Sequence, residues 1–476
     1  MEVVPARRLA ALVGDLSHDR PPFYAALATR LRLLVGDGRL AVGARLPAER
    51  DLATALRLSR ATVTAAYGRL RDDGWAAARQ GSGTWTRLPA GPAVGAWVPA
   101  PAAAGVLDLA HAAPSAPPET AAAFTAALSD LPRLLPGHGY HPQGLPELRA
   151  RIADRFTARG VPTTPEHVLV TGGALHALNL ALAVLSRRGD KVLVEHPSYP
   201  NALDAITAAG ARPVPVAVSA DDPGAVAGDL HRAARQAKPR AAYLMPDFQN
   251  PTGLLLDEQG RRRLAVGLEQ CGVVAVVDET LVDLGLDAGP AVPFAAVGRP
   301  DLVVTIGSMS KSFWGGLRVG WLRAEPELVR RCATVAARSQ ISGPVLEQLA
   351  SCHLLDAADV VLPAHRARLS VQRDALVAAL ARRLPRWHVP VPAGGLVLWC
   401  GLPGLSSSWL TGVAEPRGLR LAAGPRFGAG HAFDDRLRLP YTQPVDVLER
   451  AVELLADIVD DVPAGVVEGA TEQLVV

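Results

Sequence analysis

From about residue 107 the sequence alternates short runs of small apolar residues with longer segments of helical periodicity. The apolar runs predict strands at Val168–Val170, Val192–Val194, Val214–Val218, Ala241–Met245, Val273–Val277 and Leu302–Ile306. Parallel strands need long crossover connections, so this alternation predicts an α/β fold. Its sheet is expected to be mainly parallel and covered by helices on both faces.

After about residue 326 the pattern changes to a long helical stretch and then two further apolar runs, Gly395–Cys400 and Arg436–Pro440. This change predicts a smaller α+β subdomain at the C-terminal end. We therefore predict one large domain over residues 107–465 and assign residues 466–476, which carry no recognisable motif, to a tail.

The first 86 residues are denser in charge and form a separate predicted domain, 1–86. Residues 87–106 read LPAGPAVGAWVPAPAAAGVL, a run of Ala, Pro and Gly with almost no charge. Such a composition favours extended, loosely packed chain, so we predict an interdomain linker of about twenty residues.

Composition argues against several classes of protein. No uncharged apolar run reaches the ~18 residues of a membrane span, and no secretory signal is evident. The four cysteines lie far apart without metal-ligand spacing, which indicates reduced thiols, a cytoplasmic protein and no metal site. Because the formal net charge is only +3, any contact with nucleic acid has to be local.

The N-terminal domain shows a helix–turn–helix pattern followed by a wing. Residues 23–37 and 48–56 have helical periodicity, and Ser59 is placed to cap a third helix. The apolar face of that helix consists of Val63, Ala66, Tyr67 and Leu70, and its opposite face presents Arg60, Ala61 and Thr64. Two short strands then flank the turn Gly81-Ser82-Gly83: Trp75–Arg79 and Thr84–Thr86.

The strings LPAERDLA, SRATVTAAYGRLRDDGW and RQGSGTW resemble the GntR-type winged helix over residues 20–87. The resemblance implies that double-stranded operator DNA is a partner, contacted by Arg50, Arg60, Thr62 and Gly81. Arg60 would read a base, since arginine donates two hydrogen bonds to guanine O6 and N7. Arg50 would hold the phosphate backbone.

Lysine is rare in this chain, with only Lys191, Lys238 and Lys311. Lys311 stands among Ser and Gly in GSMSKSFWGGLRVGWL, directly after a predicted strand, where open α/β sheets bind their ligands. Arginine cannot replace lysine where a neutral amine attacks a carbonyl. Asp278 ends the apolar strand GVVAVVD, where a buried carboxylate needs a cationic partner.

Other residues near these strand ends suit an anion or an aromatic ring. Thr171-Gly172-Gly173-Ala174 opens a predicted helix, whose first N–H groups bind anions. Ser308 and Arg318 flank the lysine and could add a hydroxyl and a guanidinium, and Tyr199 could stack on a ring. A lysine, a carboxylate, an anion cradle and a stacking ring are what pyridoxal phosphate (PLP) needs from a protein.

Seven strings occur in the order of the fold-type I, class I aminotransferases: YHPQGLPELRARIA, VLVTGGALHALNLAL, EHPSYPNAL, PDFQNPTG, VVDE, SMSKSFWGGLRVGW and RLRLPYT. Together with the winged helix, the whole chain resembles the MocR/PdxR subfamily of GntR regulators. The resemblance implies that Lys311 is the catalytic, Schiff-base lysine for PLP and that Asp278 pairs with the pyridine nitrogen.

The same resemblance assigns the remaining cofactor contacts. Asn250 would bind the phenolate oxygen, Tyr199 would stack on the ring, and Gly173, Ala174, Ser308 and Arg318 would hold the phosphate. Tyr140 would reach the phosphate of a neighbouring subunit, which implies a homodimer. Arg438 would bind the carboxylate of an amino-acid effector or substrate, because its planar fork matches a carboxylate.

The sequence departs from the family at one point. A tyrosine usually follows the pyridine-binding aspartate by two or three positions, but Thr280 and Leu281 stand there. The loss of that hydroxyl puts full transamination in more doubt than cofactor binding. Our main hypothesis is thus a transcription regulator that senses PLP or an amino acid. The alternatives are an active aminotransferase with a DNA-binding appendage and an inactive scaffold used for dimerisation.

Overall fold

The computed structural model describes the chain in segments: residues 4–14, 16, 23–36, 40, 44–79, 83–86, 105–218, 222–287, 289, 291–428 and 432–461. The predicted linker, 87–106, and the predicted tail, 466–476, fall almost wholly outside these ranges. None of the helices that the structure describes is long and apolar enough to cross a membrane.

The described residues of the N-terminal unit form four helices and a two-stranded antiparallel hairpin: α1 (Ala6–Val13), α2 (Phe23–Gly36), α3 (Glu49–Leu56), α4 (Arg60–Asp72), β1 (Ala76–Arg79) and β2 (Gly83–Thr86). The three predicted helices and the two wing strands are confirmed within one or two residues at most ends. Helix α1 was not predicted; its Leu9 and Val13 pack into the core of the unit.

Helix α4 is set by its cap and by its apolar face. The Ser59 hydroxyl accepts a hydrogen bond from Thr62 N at 3.0 Å, as expected of a cap. The four predicted inward residues are all buried: Val63, Ala66, Tyr67 and Leu70. The Tyr67 hydroxyl donates to Pro47 O at 3.1 Å, which anchors α4 to the turn before α3. This packing leaves the first turn of α4 on the surface.

The remainder of the chain forms the large body. Its strands are β3 (Leu107–Leu109), β4 (Val168–Thr171), β5 (Lys191–His196), β6 (Arg212–Ala217), β7 (Ala241–Leu244), β8 (Val274–Asp278), β9 (Val303–Ser308), β10 (Gly320–Arg323), β11 (Val397–Gly401), β12 (Leu419–Ala423) and β13 (Arg436–Pro440). Its helices are α5 (Glu119–Asp130), α6 (Pro146–Ala158), α7 (Ala174–Leu185), α8 (Pro200–Ala208), α9 (Pro223–Ala237), α10 (Glu258–Gln270), α11 (Phe294–Val297), α12 (Pro326–Ala336), α13 (Val345–Asp356), α14 (Ala358–Arg383), α15 (Ser407–Ala414) and α16 (Val445–Asp460).

All six predicted strands lie in one sheet with the order β4-β10-β9-β8-β7-β5-β6. The run from β9 to β6 is parallel, and apolar clusters cover the sheet on both faces. Strand β10 was not predicted and runs antiparallel to both of its neighbours. It fits there because it begins with Gly320: a Cβ at that position would lie 2.6 Å from the Gly173 backbone and 2.6 Å from Gly307 O.

The predicted α+β subdomain is present as a second sheet with the order β11-β13-β12-β3. Helices α14, α15 and α16 contribute to the apolar cluster behind it. Strand β3 was not predicted: residues 107–109 pair in parallel with Leu419–Leu421 of β12. The first residues after the predicted linker therefore belong to the C-terminal subdomain rather than to the parallel sheet.

Candidate functional site

Lys311 lies at the carboxyl end of β9, on a short π-helical turn formed by Ser310–Trp314. Its Nζ donates a hydrogen bond to Ala112 O at 2.7 Å. Burial lowers the pKa of the Lys311 amine to about 8, with the charge of Arg438 adding to the shift and Asp278 opposing it. A substantial fraction of the amine is therefore neutral near pH 8, and the neutral form is the nucleophile.

Asp278 ends the adjacent strand β8 and is buried. One carboxylate oxygen accepts from Thr280 N at 2.9 Å, and the other accepts from the Tyr243 hydroxyl at 2.8 Å. Burial raises the pKa of Asp278, and the hydrogen bonds from Thr280 and Tyr243 oppose the rise, as does the charge of Lys311. Two donors thus orient the carboxylate, and a cationic partner would offset the free-energy cost of its burial.

The predicted phosphate residues come together at the N-terminal end of α7. Gly320 of β10 pairs with Thr171 on one side and with Ser308 on the other, which brings the ends of β4 and β9 close together. Arg318 Nη2 donates to Gly172 O at 2.6 Å, and a Cβ on Gly173 would lie 3.1 Å from the same nitrogen. A guanidinium thus lies beside the first N–H groups of a helix, which is an arrangement suited to an anion.

The Ser308 hydroxyl is engaged within the chain. It donates to Ser310 Oγ at 2.9 Å and lies 3.3 Å from Val319 O, and it accepts from Ser310 N at 3.1 Å. Ala174, in contrast, is the first residue of α7, which places its backbone N–H at the open end of the helix. Both placements are compatible with the predicted phosphate contacts, which stay predictions.

Arg438 approaches the site from β13 of the small sheet. Its Nη1 donates to Asn250 Oδ1 at 3.3 Å, its Nη2 donates to Ala110 O, and Cζ lies 4.7 Å from the centre of the Phe427 ring. Its Nε is buried and has no hydrogen-bond partner among the described residues. Burial lowers the pKa of Arg438 to about 9, and the positive charge of Arg426 adds to this shift. An anion bound here would satisfy the buried guanidinium.

Tyr199 directly precedes α8, and burial raises its pKa to about 12, helped by the charge of Asp278. Its pKa also responds to Arg438 and Arg318, which places the ring among the residues of the site. Tyr140, by contrast, is 57% exposed on the loop before α6, with its ring centre 5.6 Å from that of His138. Its predicted role toward a neighbouring subunit stays a prediction.

Three contributors to the site were not predicted from the sequence: the Tyr243 side chain and two backbone carbonyls. Tyr243 of β7 pairs in register with Val276 and reaches Asp278 on the neighbouring strand. A tyrosine within a strand of small apolar residues could have been the signal, because a buried hydroxyl needs a partner. The carbonyls of Ala110 and Ala112, which accept from Arg438 and Lys311, left no signal, because any residue has a carbonyl.

The positions where the family tyrosine is absent are used differently here. Leu281 is buried in the apolar cluster of the C-terminal subdomain. Thr280 donates through its backbone N–H to Asp278, and its side chain helps to lower the pKa of that carboxyl. Thr280 therefore supports the predicted pyridine contact, and Leu281 brings no hydroxyl to the site.

On the N-terminal unit, the predicted DNA-contacting arginines are exposed. The side chain of Arg60, at the first position of α4, is 74% exposed and lies 3.9 Å from Glu49. That of Arg50 on α3 is 85% exposed and lies 3.6 Å from Asp51. The Thr62 hydroxyl is hydrogen-bonded to Ser59 Oγ at 2.8 Å, so Thr62 reinforces the cap. Gly81 lies outside the described residues.

Comparison with known proteins agrees with both halves of the structure. Residues 120–455 match the family described as aminotransferase class I and II, and residues 23–85 match the gntR family of bacterial regulatory proteins. The chain thus belongs to the aminotransferase class I and II family and carries a GntR helix–turn–helix domain ahead of it. The predicted winged helix and fold-type I aminotransferase domain are confirmed.

Relatives share this fused arrangement. YisV of Bacillus subtilis, an uncharacterized HTH-type transcriptional regulator, is 27% identical over 412 residues, or 79% of this chain and 84% of the relative. MocR of Rhizobium meliloti, a probable rhizopine catabolism regulatory protein, is 29% identical over 76% of this chain and 78% of its own length. Among solved structures, the chain resembles LysN, the α-aminoadipate aminotransferase of Thermus thermophilus, in its complex with N-(5'-phosphopyridoxyl)-L-leucine. The two match with a TM-score of 0.69 at 28% identity, over 75% of this chain and 93% of LysN.

Proposed function

We propose that this chain is a PLP-dependent, DNA-binding transcription regulator that works as a homodimer in the cytoplasm. The observation that carries the proposal is the convergence of Lys311, Asp278 and Arg438 on one site in the same chain as an exposed recognition helix. The ligand in the LysN complex, a phosphopyridoxyl amino acid, supports the same kind of occupant for this site.

The residues present fit PLP. Bound PLP supplies an aldehyde carbon for an amine and an electron-withdrawing ring that stabilises negative charge. Lys311 provides the amine, and the buried Asp278 provides the counter-charge for a pyridinium N–H. Gly173 leaves room beside Arg318 that a side chain would fill, as a phosphate cradle requires. Asn250 lies beside Arg438, and Tyr199 lies within electrostatic range of Asp278, which supports the proposed contacts of both residues with the ring.

The segment Ala110–Ala112 links this site to the DNA-binding unit. It directly follows β3, the first strand after the predicted linker, and its two carbonyls accept from Arg438 and Lys311. A cofactor held by Lys311 would compete with Ala112 O for the Lys311 amine, and a carboxylate held by Arg438 would compete with Ala110 O. We infer that cofactor and effector each alter a contact of this segment, which is the kind of local difference that a ligand needs in order to shift a chain between two arrangements.

The test is to titrate the purified protein with PLP and then with a panel of amino acids, while following both the visible spectrum and the affinity for operator DNA. We expect the spectrum and the DNA affinity to change together for at least one amino acid, since a coupling of 1–3 kcal/mol corresponds to about 5–150-fold in affinity. Spectral changes without any change in DNA affinity would contradict the regulator proposal.

An active aminotransferase is the second candidate, supported by the placement of Lys311, Asp278, Asn250 and Arg438 together. The burial of Leu281 in a core cluster counts against it, because no hydroxyl replaces the missing tyrosine there. Sustained production of a 2-oxo acid from an amino acid and a second 2-oxo acid would favour this candidate. A spectral change that is complete after one equivalent of amino acid per bound PLP, with no further turnover, would favour the regulator.

Arg60→Ala should weaken specific operator binding by about 1–3 kcal/mol, because the variant loses a bidentate contact to a base. The visible absorption of the PLP-loaded variant should not change, since Arg60 is exposed on the separate N-terminal unit. Electrophoretic mobility shifts at fixed salt measure the first effect, with Arg69→Ala as the control on the last turn of α4. Equal operator affinity in wild type and Arg60→Ala would remove Arg60 from the reading role.

A further inference from the structure

Helix α14 joins the two parts of the large body and carries a buried histidine between them. Leu362 packs in an apolar cluster that covers the parallel sheet, whereas Leu369, further along the helix, packs in the cluster of the C-terminal subdomain. His365 lies between these two leucines and is only 3% exposed. A buried imidazole needs a partner for each ring nitrogen, because an unmatched nitrogen would lose its hydrogen bond to water.

The two ring nitrogens of His365 have different partners. Nε2 lies 3.1 Å from Lys311 O, and Nδ1 lies 2.9 Å from Arg368 Nη2. A carbonyl oxygen only accepts and a guanidinium only donates, so Nε2 carries the hydrogen and Nδ1 accepts. Burial lowers the pKa of His365, and the charges of Arg368 and Arg366 add to this shift, while the contact with Lys311 O opposes it. The ring is therefore uncharged at neutral pH and is held in one tautomer.

The π-helical turn that carries Lys311 depends on donors from outside it. A single helical turn has too few N–H groups for all of its own carbonyls. His365 supplies one donor, to Lys311 O. The next residue, Ser312, donates through Oγ to Asp283 Oδ2 at 2.9 Å, and Arg366 Nη1 donates to Asp283 O at 3.2 Å. Helix α14 thus holds the turn directly through His365 and indirectly through Asp283.

The main-chain contact of Lys311 differs from its side-chain contact. Lys311 Nζ donates to Ala112 O, and a bound cofactor would compete for that amine. The Lys311 carbonyl is not part of that competition, so the hydrogen bond from His365 can persist while the amine reacts. Arg368 is oriented in turn, because the same Nη2 that meets His365 also lies 3.4 Å from Ser115 O.

We propose that His365 is a positioning residue for Lys311: its Nε2–H holds the Lys311 carbonyl and thereby fixes the point from which the amine approaches the aldehyde of PLP. Arg368 holds the tautomer that makes this contact possible. The inference rests on the proposed function, because it concerns the capture of PLP by Lys311. His365 acts through Lys311 and is assigned no contact with the cofactor.

The test measures how fast the visible band forms when the full chain, stripped of cofactor, is mixed with PLP in a stopped-flow spectrometer. His365→Leu replaces the donor by an apolar side chain of comparable size. It should slow band formation at least about tenfold, because a misplacement of ~1 Å can cost as much as 10²-fold in rate. The final band intensity at saturating PLP should match wild type, since Lys311 is still present.

His365→Gln is the conservative variant. Its amide can donate to Lys311 O and accept from Arg368, so it should recover most of the rate. Arg368→Met keeps the imidazole but releases its tautomer, and it should slow the band less than His365→Leu does. Because Arg368 is partly exposed, its replacement puts folding at less risk.

His353→Leu is the matched control, because His353 is a partly buried histidine on α13 whose Nε2 lies 2.8 Å from Asp130 Oδ2. It should keep the wild-type rate. Wild-type rates in His365→Leu, or a His365→Gln as slow as His365→Leu, would overturn the positioning role while PLP capture by Lys311 stands. Where circular dichroism shows that His365→Leu does not fold, a wild-type rate in Arg368→Met overturns it.

Two further outcomes separate this proposal from its alternatives. A lower final intensity in His365→Leu with an unchanged rate would show that His365 only stabilises the fold, which also contradicts a positioning role. No visible band in wild type at any PLP concentration would remove the proposed function itself, and the positioning role with it.

Discussion

Lys311→Ala protein is expected to show none of the visible absorption that wild type develops with PLP. The band requires a carbon–nitrogen double bond to the cofactor, and Lys311 supplies the amine whose pKa of about 8 leaves it partly neutral at working pH. The other two lysines are Lys191, whose amine donates to Ala237 O at 3.1 Å, and Lys238, which caps the end of α9. Absorption spectra of the two proteins at equal PLP concentration measure the effect.

The control is Lys191→Arg, which keeps the charge of that residue and should keep the full band. Borohydride reduction of PLP-loaded wild type followed by peptide mass spectrometry should place the modification on Lys311. A band that persists in Lys311→Ala, or a label on Lys191 or Lys238, would contradict the assignment. The operator affinity of Lys311→Ala, measured with and without PLP, then shows whether PLP binding at Lys311 is coupled to DNA binding by the N-terminal unit.

The parallel sheet could be predicted from sequence because each of its central strands is a continuous apolar run. Val192–Val194 and Ala241–Met245 are examples, and both lie in strands packed on both faces. Strand β10 could not be predicted, since Gly320–Arg323 owes its place to close backbone approach at Gly320 and not to an apolar pattern. Strand β3 has only three residues and forms by pairing with a strand 312 residues later.

The site was partly predictable for a related reason. Lys311 and Asp278 follow strands, so the edge of a parallel sheet brings them together whatever the loops do. The contacts of Arg438 with Asn250 and Ala110 depend on how the second sheet packs against the first, which no local pattern encodes. The roles of these residues toward PLP and an effector accordingly stay predictions.

A buried ion pair holds the loop that carries Asn250. Arg261 of α10 is fully buried, and its Nη2 lies 2.8 Å from Asp247 Oδ1 while its Nη1 lies 3.2 Å from Oδ2. The same guanidinium donates to Leu256 O at 2.8 Å and to Pro246 O at 3.1 Å, so it joins both ends of residues 246–256. Sequence patterning did not indicate this pair, because its partners are fourteen residues apart on a loop and a helix.

Asp247→Ala is expected to lower the free energy of unfolding by about 3–5 kcal/mol, because the variant leaves the Arg261 charge buried without a counter-ion. Denaturant unfolding followed by circular dichroism measures the loss, and a weaker affinity for PLP should accompany it as the Asn250 loop loosens.

Glu258→Ala is the control, because Glu258 lies on α10, the helix that carries Arg261. Its exposed partner Arg262 lies 2.7 Å away, and such a surface pair contributes about 0.3–0.5 kcal/mol. The double variant Asp247→Leu, Arg261→Met should recover much of the stability, since an apolar pair leaves no charge to solvate. Equal losses in Asp247→Ala and Glu258→Ala would show that the buried pair does not stabilise the loop.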